Sequence, residues 1–83
     1  MFMARTEDQF KKLVGKRLTS ALKYAGKSDQ DLLDEFKFSP TELKLYKNGL
    51  RSPSLYRTDA IATYLNVSVD YLTGKTEAPM PAA

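Results

Sequence analysis

The side chains able to do chemistry in this chain are lysines, arginines, carboxylates and hydroxyls, because its 83 residues include no cysteine and no histidine. Thiolate nucleophiles, disulfides, Cys/His zinc sites and imidazole acid–base catalysis are thereby excluded. Carboxylates alone could still catalyse, but so short a chain has little material with which to enclose a substrate pocket. The sequence therefore predicts a non-enzyme without cofactor or metal. What remains is non-covalent recognition of charge. Thirteen Lys/Arg against ten Asp/Glu give a net charge of +3, unevenly spread. Residues 1–27 hold seven Lys/Arg and two acids, residues 28–48 three Lys and five acids, and residues 49–83 three of each. A basic balance favours nucleic acid or an acidic membrane surface.

No apolar run approaches the ~20 residues of a bilayer-spanning helix. The N-terminal MFMARTEDQF lacks the apolar core of a secretory signal. A cytoplasmic protein of one domain is expected.

The elements that must position these charges are marked by their ends. Thr6-Glu7-Asp8-Gln9 has the form of a capping box, and Phe10, Leu13, Val14, Leu18, Ala21, Leu22 and Ala25 follow at helical spacing until Gly26. Ser28 caps a second short helix, with Asp29 and Asp31 in its first turn and Leu32, Leu33 and Phe36 as its apolar residues. Ser39 opens a third helix with Pro40 at its first position. Glu42 completes the pattern of another capping box, and Asn48-Gly49 ends the helix. Ser54 caps a fourth helix running through Leu65, and a very short fifth spans Ser68 to Leu72 before Gly74. No alternation of period two persists beyond a few residues. The expected fold is all-α, a compact five-helix bundle over residues 6–74. It is flanked by a flexible N-terminus (1–5) and a disordered tail (75–83). Met1, Phe2 and Met3 are expected either to pack on the bundle or to lie disordered.

Between Ser28 and Asn48, two capped helices are separated only by Lys37-Phe38 and the Ser39 cap. That spacing is the geometry of a helix-turn-helix, whose second helix protrudes far enough to enter a major groove.

Here the chain resembles the Xre or Cro-like repressors of bacteria and phages, the lambda-repressor-like family. The resemblance is ungapped from Val14 to about Gly74. It is carried by Gly26-Lys27-Ser28 at the entry to the motif, Leu32, the Phe38-Ser39 turn, Leu43, Tyr46, Gly49 and Pro53-Ser54. The run Leu65-Asn66-Val67-Ser68-Val69-Asp70-Tyr71-Leu72-Thr73-Gly74 also resembles the family's terminal signature. The resemblance implies a sequence-specific transcriptional regulator, a repressor, that binds double-stranded DNA as a homodimer. It implies base reading by Pro40, Thr41, Lys44 and Leu45. Phosphate contacts fall to Asn48, Arg51, Ser52, Tyr56 and Arg57, with Lys47 reinforcing them one turn beyond Lys44. Lys11, Lys12, Lys16, Arg17 and Lys23 read either as a solvated face or as a phosphate-facing patch, in which Arg17 is the best candidate. Tyr71 and Leu72 either close the core or contribute to a dimer seam.

The chain departs from the family pattern at four positions. Asp29 stands where a glutamine usually supports the backbone grip, and a carboxylate beside phosphates is repulsive unless neutralised. Leu33 replaces a small alanine and is expected to push the two motif helices apart. Lys37 replaces a turn glycine and must accept the backbone angles of the turn, including a positive φ. Leu22 replaces an arginine common in the first helix. The acidic helix 28–36 supports an alternative: a protein-interaction module, an antirepressor or antitoxin-like partner, that keeps the fold with weakened DNA binding.

Overall fold

Each of the five helices among the described residues begins at a hydroxyl side chain that accepts a backbone N–H from the first turn. The computed structural model describes residues 5–80, so expectations for residues 1–4 and 81–83 lie outside the described residues. The elements are α1 (Glu7–Ala25), α2 (Asp29–Phe36), α3 (Pro40–Lys47), α4 (Leu55–Leu65) and α5 (Val69–Leu72), with no strand among the described residues. None of these helices is long and apolar enough to cross a membrane.

The caps follow the sequence signals closely at most ends. Thr6 and Gln9 form the reciprocal capping box at α1, and Gly26 ends that helix at φ +68°. At α2 the box is formed by Ser28 with Asp31. Ser28 N–H donates to Asp31 Oδ2 (2.8 Å), and this bond holds the Asp31 carboxyl below its ordinary value. At α3 only half of the expected box exists. Ser39 Oγ accepts from Glu42 N–H (3.1 Å), but the Glu42 carboxylate is drawn away to Arg57 and Tyr46.

The core joins Leu18, Ala21 and Leu22 of α1 to Leu32 of α2, Leu43 and Tyr46 of α3, and Ile61, Ala62 and Leu65 of α4. Val67, Tyr71 and Leu72 close it from the C-terminal side. Tyr71 and Leu72 keep only 9% and 2% of their surface, so little of either side chain is left to form a dimer seam. α1 runs against α3, α4 and α5, while α2 rests on α3.

α3 lies unusually near α1 because Gly15 carries no side chain. A Cβ there would stand 2.6 Å from the Lys47 carbonyl oxygen and 2.7 Å from that of Tyr46. Gly49 then turns the chain at φ +74°, hard against the Lys12 backbone.

The stretch beyond Gly74, expected to be a disordered tail, folds back as far as it is described. Arg17 Nη1 donates to the Tyr71 carbonyl (3.0 Å) and to the Thr76 carbonyl (2.6 Å), and Ser68 N–H donates to Pro79 O (3.0 Å). The Arg17 guanidinium also lies 4.6 Å from the Tyr71 ring centroid. The cause is long-range. Arg17 sits more than fifty positions from both of its carbonyl partners, and a local Pro/Ala-rich composition carries no trace of them.

Candidate nucleic-acid interface

Three residues, Lys37, Phe38 and Ser39, separate α2 from α3. Lys37 takes φ +58°, ψ +33°, the left-handed conformation that the turn demands. Without glycine this costs roughly 1 kcal/mol. Phe38 is buried between Phe36 (stacked, 5.4 Å) and Tyr46 (edge-on, 5.8 Å), which fixes the turn from beneath.

α3 divides cleanly into two faces. Leu43 and Tyr46 are each 3% exposed and face the core. Pro40, Thr41, Lys44 and Asn48 are exposed, and Leu45 is half-buried. Thr41, Lys44, Leu45 and Asn48 are three or four positions apart and so share one outward stripe. Beyond the helix, Leu50 and Arg51 both donate backbone N–H groups to Leu45 O, which folds the loop under the end of α3. Arg51 and Tyr56 are exposed, whereas Ser52 is half-buried beside Pro53. Among the described residues, Lys44 and Arg51 take part in no ion pair.

The other three cations offered to phosphate have partners of their own. Lys47 Nζ donates to both carboxylate oxygens of Asp29, each at 2.9 Å. Asp29 is thereby neutralised. Its pair sits on a groove of about 340 Å³ between α2 and α3, lined by Leu33, Pro40, Leu43, Lys44 and Asn48 as well. Leu33, the bulky replacement for an alanine, packs partly on the core and partly lines this groove.

Arg57 Nη1 donates to Glu42 Oε2 (2.5 Å) and to the Tyr46 hydroxyl (2.6 Å), and Tyr46 donates to the same Glu42 oxygen (3.1 Å). The guanidinium also covers the Phe38 ring at 4.6 Å. The Arg57 bond holds the Glu42 carboxyl below its ordinary 4.5, and Tyr46 followed by Glu42 raises Arg57. Arg57 is thus held against α3 and the turn. Arg17 is held by α5 and residue 76.

Four features of this site went unread in the sequence. They are the Glu42–Arg57–Tyr46 triad, the neutralisation of Asp29, the close approach at Gly15 and the Arg17 clasp. Glu42 and Tyr46 stand at i, i+4, a spacing at which side chains meet, so part of the triad had a local signal. Arg57 comes from another helix and had none.

No family model, curated protein or solved structure matches the chain.

Proposed function

We propose that the protein is a sequence-specific double-stranded DNA-binding regulator of repressor type, with α2, the turn and α3 acting as a helix-turn-helix and α3 entering a major groove. The observation that carries this reading is the outward stripe of α3. Thr41 and Lys44 stand exposed on a helix whose opposite face is locked into the core, Asn48 stands exposed at its C-terminal cap, and Arg51, in no ion pair among the described residues, follows in the next loop. Pro40 and Thr41 would present the first turn to base edges, with Lys44 donating to guanine or to a phosphate. Arg51, with Asn48 and Tyr56, would fix register on the backbone without reading sequence. A homodimer would place two such helices in successive major grooves, about 34–36 Å apart, on a palindromic site.

The test is selection from a randomised duplex library at low and moderate salt. A palindromic motif, with affinity falling steeply as salt rises, is the expected result. Recovery of nothing above background at either salt would overturn the reading. It would turn attention to the acidic α2 face, with exposed Asp34 and Glu35, as a surface for a basic protein partner.

A further inference from the structure

Asp29 and Lys47 form a bidentate ion pair across the groove between α2 and α3, with 51% and 27% of their side-chain surfaces exposed. Both line the same groove as Lys44 and Asn48. A pair this open to water contributes little to stability, so holding the fold together is a weak account of it. Its consequence for binding is larger. Lys47 lies one turn beyond Lys44 on the helix proposed to meet nucleic acid, and its charge is already met by a carboxylate of the same molecule.

We propose that Asp29 is an internal competitor for phosphate, occupying Lys47 in the free protein and so limiting how strongly α3 grips nucleic acid of any sequence. This rests on the DNA-binding reading above. A cation that must leave a carboxylate to meet a phosphate exchanges one anionic partner for another. It also leaves that carboxylate unpaired beside the backbone. The Asp29–Lys47 unit therefore adds almost nothing to the net positive charge facing the duplex. A free Lys47 would add a full charge, and each phosphate neutralised contributes about 0.9 to the slope of log affinity against log salt. Asp29 thus holds down sequence-independent binding, and base contacts by Thr41 and Lys44 keep a larger share of the discrimination.

The test is a double-mutant cycle on the full chain, with Asp29→Asn, Asp29→Ala, Lys47→Gln and the Asp29→Asn/Lys47→Gln pair. Binding to a short random-sequence DNA duplex is titrated across a salt series, and helical content and thermal midpoint confirm folding. Asp29→Asn and Asp29→Ala should each bind several-fold more tightly than wild type at low salt, with the slope steeper by about 0.9. Lys47→Gln in the wild-type background should change the slope little, and in the Asp29→Asn background should abolish the gain.

A gain that survives Lys47→Gln would overturn the proposal, because Asp29 would then act by direct repulsion. Wild-type binding with no change in either Asp29 variant would also overturn it while leaving the DNA-binding reading intact. Absence of duplex binding by every variant at low salt would overturn both.

Discussion

Arg57 and Glu42 occupy the same position in different helices, each the third residue after a serine cap, and their side chains meet across the gap with Arg57 Nη1 2.5 Å from Glu42 Oε2. The contact ties the first turn of α3 to the first turn of α4. Tyr46 and Phe38 extend the tie to the rest of α3 and to the turn before it. The side chain that a sequence reading would aim at phosphate is therefore part of what aims α3.

Replacing Arg57 with glutamine separates these roles. The pair is partly solvent-exposed, at 36% for Arg57 and 25% for Glu42, so its loss should cost only about 1–2 kcal/mol. For a domain of this size that lowers the thermal midpoint by roughly 5–15 °C, readable by circular dichroism. DNA affinity should fall through misplacement of α3, with the salt slope unchanged. A slope shallower by about 0.9 would instead make Arg57 a phosphate contact.

Acid should weaken the same tie. Glu42 has its folded value lowered from 4.5, chiefly by the Arg57 hydrogen bond. Its contribution is fully present above the unfolded value and is lost as pH falls through the lowered folded value, because the unfolded chain takes up the proton first. Glu42→Gln should therefore be less stable than wild type near neutral pH, with the difference shrinking in acid. Urea midpoints across that range measure it. A constant difference would show that the carboxylate charge is not what matters.

The pattern of what could be read in advance follows from the range of each interaction. Thr6, Ser28, Ser39, Ser54 and Ser68 all cap the helices that their neighbours suggest, because a cap is settled within four residues. Lys37 adopts the positive φ that its place in the turn requires. Glu42 has the spacing of a capping-box residue and still fails to form one, since an arginine fifteen positions away binds it more strongly. Asp29 suggests repulsion when read alone, and its charge is met only once α3 brings Lys47 to it, eighteen positions on. Arg17 sits in a run of lysines that reads as a solvated face, and its partners lie at the far end of the chain. Local patterns carried the helices; the chemistry of the candidate site depends on contacts made between them.

Gly15 tests the approach of α1 to α3. Alanine is the better helix former by about 1 kcal/mol. Its Cβ, however, would stand within 2.7 Å of two backbone carbonyl oxygens, which cannot swing aside as a side-chain tip would. Gly15→Ala should destabilise by a net of about 1 kcal/mol or more in chemical denaturation, despite the gain in propensity. Equal or greater stability would mean that α3 can slide along α1.

Lys37→Gly makes the opposite case. The residue is exposed at φ +58°, where glycine is unstrained and lysine is not. The relief of roughly 1 kcal/mol is partly offset by the greater freedom of glycine in the unfolded chain. A net gain of about 0.5 kcal/mol in urea unfolding is expected. A loss would show that the lysine side chain makes a contribution of its own to the turn.

Thr41 and Arg51 should divide sequence reading from grip. Thr41 is exposed in the first turn of α3, where a hydroxyl or methyl can meet a base edge. Arg51 lies in the loop after the helix, free of any ion pair among the described residues. Thr41→Ala should relax base preference at one operator position, costing about 1–3 kcal/mol on the selected site and almost nothing on random duplex. Arg51→Ala should weaken both duplexes alike and reduce the salt slope by about 0.9. Paired titrations of the two variants on selected and random duplexes measure the difference. If Thr41→Ala lost equally on both, α3 would not be reading bases through that residue. The specificity would then have to be sought at Lys44 or in the shape of the DNA itself.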